Sequence, residues 1–252
     1  MTDAAVPVPR GFAARLWRRL CRFSFTRRRR TRKKLAAFCA RWATEEYTLV
    51  VHSTDIEHRK YFPNAFVVSS RAGRRVDLET GATYEDLRLI GDESFAVILC
   101  TGLLEHLPDP AAFVAELHRI LKPGGRLILS ASAVFPFHGA PDNYFHFTPN
   151  GLRRLFRDWA RFEALQGSTG PFETIAVLLQ RINIQCDVFP PLRPLIELAY
   201  HVLPWFDVFV IRQYDSTGRR DDPGPVDAAM PATLHAVVAK AEAETPERSP
   251  AP

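Results

Sequence analysis

The chain has 252 residues, 46% of them hydrophobic, and a formal net charge of +5, enough apolar material for one core of about 200 residues with extensions. Its cysteines, Cys21, Cys39, Cys100 and Cys186, stand far apart without a CxxC pair or a His/Cys cluster, which argues against a disulfide scaffold or a zinc site and fits a reducing cytoplasm. No run of about 18 apolar residues occurs, and charges stand where a signal peptide needs an apolar segment, so the chain is expected to be neither secreted nor membrane-spanning.

The charge is concentrated at the N-terminus. Residues 1–44 carry 13 Lys and Arg against the single acid Asp3, a net +12 that leaves the rest of the chain at −7. Phe12, Leu16, Leu20, Phe23, Leu35 and Phe38 recur there at helical spacing, interrupted by the block Arg27–Lys34. A basic, amphipathic arm of this kind fits an anionic membrane surface, which would place the chain in the cytoplasm with the inner face of the membrane as a second location. A solvated leader is the plainer reading. Nucleic acid is the lesser alternative, because few aromatics interleave the arginines and no recognition motif accompanies them.

Past the arm, Thr48–Val51 and Ala65–Ser69 read as short buried strands, and Phe95–Cys100 is a continuous apolar run of the kind found inside a parallel sheet. Pro108-Asp109-Pro110 opens a helical stripe through Leu121, which Lys122-Pro123-Gly124-Gly125 ends before a strand at 126–130. Strand, helix, glycine turn and strand make a βαβ unit, and ligands of such sheets sit beyond the carboxyl ends of the strands, here at Thr101, Gly102 and Leu103.

The segment ESFAVILCTGLLEHLPDPAAFVAELHRILKPGGRLILSA, residues 93–131, resembles the second half of the class I S-adenosylmethionine-dependent methyltransferase fold, in particular the methyltransferase type 11 group. HGAPDNYFHFTPNGLRRLF, residues 138–156, resembles a bacterial subgroup that accompanies cell-surface polysaccharide enzymes. The resemblance implies a Rossmann-like, doubly wound α/β sheet over residues 45–240, flanked by the basic arm at 1–44 and a disordered tail at 241–252. It also implies S-adenosylmethionine as cofactor and methyl transfer to a small-molecule or glycan-linked acceptor.

The family places glycines and an acid after its first strand, where the backbone meets the cofactor. This chain has His52, Ser53, Thr54 and Asp55 instead, and Ser69 where an acid ends the second strand. Asp77, followed by Leu78, matches an acid that the family carries near the adenine. The implied cofactor set is therefore His52, Ser53, Thr54, Asp55, Ser69, Asp77, Leu78, Thr101, Gly102, Leu103 and His106. The loss of the turn's glycines keeps a second reading open, a domain that has lost its cofactor and serves as a scaffold or partner-binding module.

His138, Asp142 and His146 recur at intervals of four. Gly139, Pro141 and Pro149 prevent one continuous helix through them, so a metal site is not expected, and a substrate loop with His138 or His146 as proton acceptor is. Thr148-Pro149 predicts an N-cap and first position for a helix over 152–159. Residues 171–211 read as an insertion, with a helix at 174–184 and the apolar stretch 190–211, broken by Arg193, Glu197, His201 and Asp207. The stretch fits a cover over the sheet, a cap on the substrate pocket, a dimer contact or a membrane rest. Leu234–Lys240 reads as a final strand.

Overall fold

A computed structural model of the chain describes residues 11–21, 30–51, 57–70, 76–139, 142–213 and 229–242. Seven strands form one sheet: β1 (Thr48–Val51), β2 (Ala65–Ser69), β3 (Leu78–Glu79), β4 (Phe95–Thr101), β5 (Leu121–Ser132), β6 (Arg161–Gly167) and β7 (Thr233–Ala239). Their order is β3-β2-β1-β4-β5-β7-β6, with β1 to β5 parallel and β7 antiparallel to both of its neighbours. Chain order reverses direction between β1 and β4, which is where an open sheet of this kind leaves a crevice at its carboxyl edge. The doubly wound α/β architecture expected from sequence is the one observed.

Alternation along the strands supplies two cores. Leu49, Val51, Ile98, Cys100, Leu127 and Leu129 face the helix α3 (Pro110–Ile120), which buries Phe113, Val114, Leu117 and Ile120. Asp109 starts α3 by accepting the N–H of Ala111 and Ala112 at 3.1 and 3.0 Å, with Pro110 in the first turn. Truncating a fully buried residue such as Leu117 to Ala would cost about 2–5 kcal/mol. The helix α4 (Pro149–Leu155) joins this face through Leu152, and Thr148 caps it by accepting the Gly151 N–H at 3.0 Å.

The opposite face holds Val50, Val67, Val97, Leu99 and Ile128. Two helices precede the sheet, α1 (Phe12–Cys21) and α2 (Arg30–Arg41), and α2 buries Leu35, Phe38 and Cys39 against that face. The expected boundary at residue 44 is therefore corrected: α2 is part of the domain, because its apolar stripe covers a sheet face that would otherwise meet water. Arg27 to Arg29 lie outside the described residues.

Three further differences from the sequence reading stand out. Lys122–Gly125 belongs to β5, carried as an irregularity between the pairs Phe95 with Leu121 and Val97 with Arg126. β6 was not expected at all. The helix after Thr148 begins as predicted and stops at Leu155, earlier than residue 159. Residues 171–211 form α5 (Pro171–Gln185), α6 (Arg193–Val202) and a 3-10 segment, Leu203–Phe209.

Candidate active site

A cavity of about 440 Å³ opens at the carboxyl ends of the strands. The loop after β4 forms its floor. Gly102 has φ +58, a left-handed conformation that L side chains adopt with strain, and its N–H donates to the Ser130 carbonyl at 3.0 Å. Glycine there lets the chain leave β4 sharply, so Leu103 and Glu105 enter the cavity wall. Ser70, Ala82 and Tyr84 bound the cavity on the side of β1 to β3. Ser132, His138 and Arg181 bound it on the side of β5 and α5.

Glu105 is 2% exposed. Its Oε1 accepts the Ser132 hydroxyl at 2.6 Å, while Oε2 has no partner among the described residues. Burial pushes the carboxyl above its ordinary range, against the opposing effect of the Ser132 hydrogen bond. The Glu105 carbonyl also accepts the Tyr144 N–H at 2.7 Å and the Phe145 N–H at 3.3 Å, which ties the 142–148 loop to the end of β4.

Two histidines stand beside this carboxyl. His138 Nδ1 lies 3.0 Å from the Pro136 carbonyl, and since a carbonyl only accepts, Nδ1 carries the proton and Nε2 keeps its lone pair. Burial pulls the His138 pKa down to about 4, so the ring is neutral at neutral pH. His106 Nδ1 donates to the Asp142 carbonyl in the same manner. The two rings meet edge to face with centroids 4.9 Å apart, and Phe135 packs edge-on against His138 at 5.0 Å. Gly139 presses on His106: a Cβ at that position would stand 2.8 Å from Cε1, and φ is +67.

The sequence-expected residues divide clearly. Gly102, Leu103, His106, His138 and Asp142 line the cavity together. Thr101 is buried beside them, its hydroxyl without a partner among the described residues. His146 is exposed and does not line the cavity. Asp77 is turned to another use: its carboxylate accepts the Val67 N–H at 2.8 Å and pairs with Arg59 at 3.6 Å, which secures the sheet edge between β2 and β3. Leu78 packs against the core and Ser69 ends β2 as a buried residue, its carbonyl accepting the Thr80 N–H. His52, Ser53, Thr54 and Asp55 lie outside the described residues.

The sequence reading rejected metal for His138, Asp142 and His146. The structure gathers a different set, Glu105, His106 and His138, whose ligand atoms lie within 4.8 Å of one another, a spacing that could hold a metal ion. The sequence places Glu105 beside His106, one step past Thr101–Leu103, where a helix-start acid and a direct contact are equally open. Other wall residues were missed, although His235 carried a signal, a lone histidine in the strand LHAVVA. Ser132 and Arg181 carried none that spacing could reveal.

A family model described as a methyltransferase domain matches residues 39–129. Among curated proteins, the chain is 46% identical over 86 residues to the ubiquinone biosynthesis O-methyltransferase of Hahella chejuensis, covering 32% of this chain and 34% of that protein. It is 44% identical over 48 residues to the protein of the same name from Pseudomonas syringae pv. tomato, covering 19% and 21%. The matched region thus spans between 21% and 34% of the length of these two relatives. Among solved structures, it is similar to the 1,6-didemethyltoxoflavin-N1-methyltransferase of Burkholderia thailandensis, solved with 1,6-didemethyltoxoflavin and S-adenosylhomocysteine, at 18% identity and a TM-score of 0.49 over 96% of this chain and 94% of that one.

Proposed function

We propose that this chain, whose residues 39–129 match a methyltransferase-domain family model, is a class I S-adenosylmethionine-dependent methyltransferase and transfers a methyl group to an acceptor seated in the cavity at the carboxyl ends of its strands. The observation that carries the reading is the position of that cavity. It lies where the strand order reverses, floored by Gly102 and Leu103 and walled by neutral His138.

The described residues fit the cofactor. Tyr84, Ala82 and Leu103 offer an apolar slot, Ser70 adds a hydroxyl, and Gly102 keeps the backbone bare at the floor. These residues would hold S-adenosylmethionine, which supplies, when bound, an electrophilic methyl on a good leaving group. The protein's task is then positioning and proton removal. The wall of Glu105, Ser132 and Arg181 orients the acceptor, and His138 Nε2 takes the proton from the acceptor's hydroxyl as the new O–CH₃ bond forms. Pro136 holds His138 in the required tautomer throughout.

The acceptor class we favour is a small-molecule or glycan-linked compound that offers a hydroxyl. The O-methyltransferase names of the curated relatives support oxygen as the methylated atom. The glycine-free turn at His52–Asp55 favours the alternative, a catalytically silent scaffold. Incubation of the purified chain with methyl-labelled S-adenosylmethionine and fractionated bacterial small molecules and glycans separates the two. Label incorporated by the parent and lost in His138→Ala supports transfer, and no incorporation across all fractions supports the scaffold.

A further inference from the structure

Helix α6 is built inside out, and the second half of α5 shares the pattern. On α6 the buried positions are Arg193, Glu197 and Tyr200, whereas Leu195 and Leu198 stand 62% and 61% exposed. The buried polar set is satisfied internally: Arg193 donates to the Asn183 carbonyl of α5 at 2.5 Å, and the Tyr200 hydroxyl donates to Glu197 at 2.8 Å. On α5, Gln180, Arg181 and Asn183 are buried while Ile175, Ile182 and Ile184 are exposed. The segment Leu203–Phe209 continues the pattern with Trp205 and Phe209 each 73% exposed, and Ile211 beyond it is 92% exposed.

This surface sits on a fixed platform. Asp207 accepts the N–H groups of Phe172 and Glu173 at 2.8 and 2.9 Å, so the aromatic segment is fastened to the first turn of α5. A protein bathed only in water buries its leucines and exposes its charges. A contiguous apolar face with its charges turned inward marks a contact with lipid or with another protein.

Charge decides between them. Between Val188 and Ile211 neither carboxylate is presented outward, because Glu197 is buried and Asp207 is engaged at α5. The basic helix α1 meets this face where Trp17 packs 6.0 Å from Phe189. Its Phe12, Leu16 and Leu20 are exposed, as are Arg15 and Arg19, and α2 adds exposed Arg32 and Lys33. A second copy of the chain would bring like charges together, whereas lipid phosphates would neutralise them.

We propose that α1, α6 and the segment Leu203–Phe209 form an interfacial docking surface for an anionic phospholipid bilayer. Leu195, Leu198, Trp205 and Phe209 enter the acyl boundary, and the arginines of α1 lie among the phosphates. Among the described residues no helix is long and apolar enough to cross a membrane, and a helix lying in the interface needs no such length. The cavity is bordered by Ile184 and Gln185 of α5, so a docked chain holds its site beside the lipid.

The test is flotation of the full chain with vesicles of equal parts phosphatidylcholine and phosphatidylglycerol, set against vesicles of phosphatidylcholine alone. The chain floats with the anionic vesicles and is released by salt. W205S/F209S and R15E/R19E each lower the bound fraction about tenfold, with unchanged circular dichroism because all four side chains are exposed. A chain that stays in the soluble fraction, or a W205S/F209S variant that floats as well as the parent, overturns the proposal. So does a dimer that W205S/F209S dissolves in the absence of flotation, which assigns the face to a second copy. Flotation is read without turnover and stands apart from methyl transfer.

Discussion

The Ser132 hydroxyl reaches Glu105 Oε1 at 2.6 Å in the buried wall of the cavity, joining the end of β5 to the loop after β4. It is the one side-chain hydrogen bond that carboxylate makes among the described residues, since Oε2 has none. Ser132→Ala removes that hydroxyl from the buried carboxyl, and we expect a loss of about 1–3 kcal/mol in urea unfolding. Glu105→Gln in the same background recovers part of it, because a neutral amide is cheaper to bury than a carboxylate.

His138 and His146 are separated by their surroundings. His138→Ala removes the Nε2 lone pair from the cavity wall, and kcat should fall about 10²–10⁴-fold with the cofactor dissociation constant little changed. His146 is exposed and does not line the cavity, so His146→Ala should leave kcat within about twofold. Steady-state kinetics on both variants, with an acceptor found by label incorporation, checks the contrast.

Asp77 offers a prediction of the opposite kind. Its carboxylate holds the Val67 N–H at the sheet edge and does not line the cavity. Asp77→Ala should therefore cost about 1 kcal/mol of stability and leave cofactor affinity in place, read by unfolding and calorimetry on one preparation.

His235 sets a pH dependence. It is 2% exposed on β7 and packs against Phe38 at 4.9 Å, and burial lowers its pKa to about 4 from 6.5. The unfolded chain binds the proton at higher pH than the folded one, so this group's effect is absent above the ordinary value of 6.5 and stability falls as pH drops from there toward 4. The loss should approach about 3 kcal/mol at the lower end. Urea midpoints measured through that window should fall for the parent and stay flatter for His235→Leu.

Much of the fold is legible because local and tertiary demands agree. β1, β2, β4 and β7 are short apolar runs, and α3 carries both its stripe and its Asp109–Pro110 start. β6 is not legible, because Arg161–Gly167 is an edge strand of intermediate burial, paired only with β7, and shows neither an apolar run nor clean alternation. The inversion of α6 is hidden for a related reason. Periodicity reveals that Leu195 and Leu198 share a face, and only the packing reveals that this face points away from the core. Of the site, the βαβ logic locates Gly102 and Leu103. The Glu105–Ser132 pair spans 27 positions of chain and needs the sheet register to appear.

The central claim is that the chain, with no glycine in the turn His52–Asp55, still holds S-adenosylmethionine between Ser70, Ala82, Tyr84, Gly102 and Leu103. Calorimetric titration of S-adenosylmethionine and S-adenosylhomocysteine into the parent and into Ala82→Trp tests it most directly. Ala82 is exposed at the cavity wall, so the tryptophan fills the slot without disturbing the core. Saturable binding of both ligands to the parent, abolished in Ala82→Trp, is the expected result. A parent that takes up neither ligand, or an Ala82→Trp variant that binds both as well as the parent, contradicts the account.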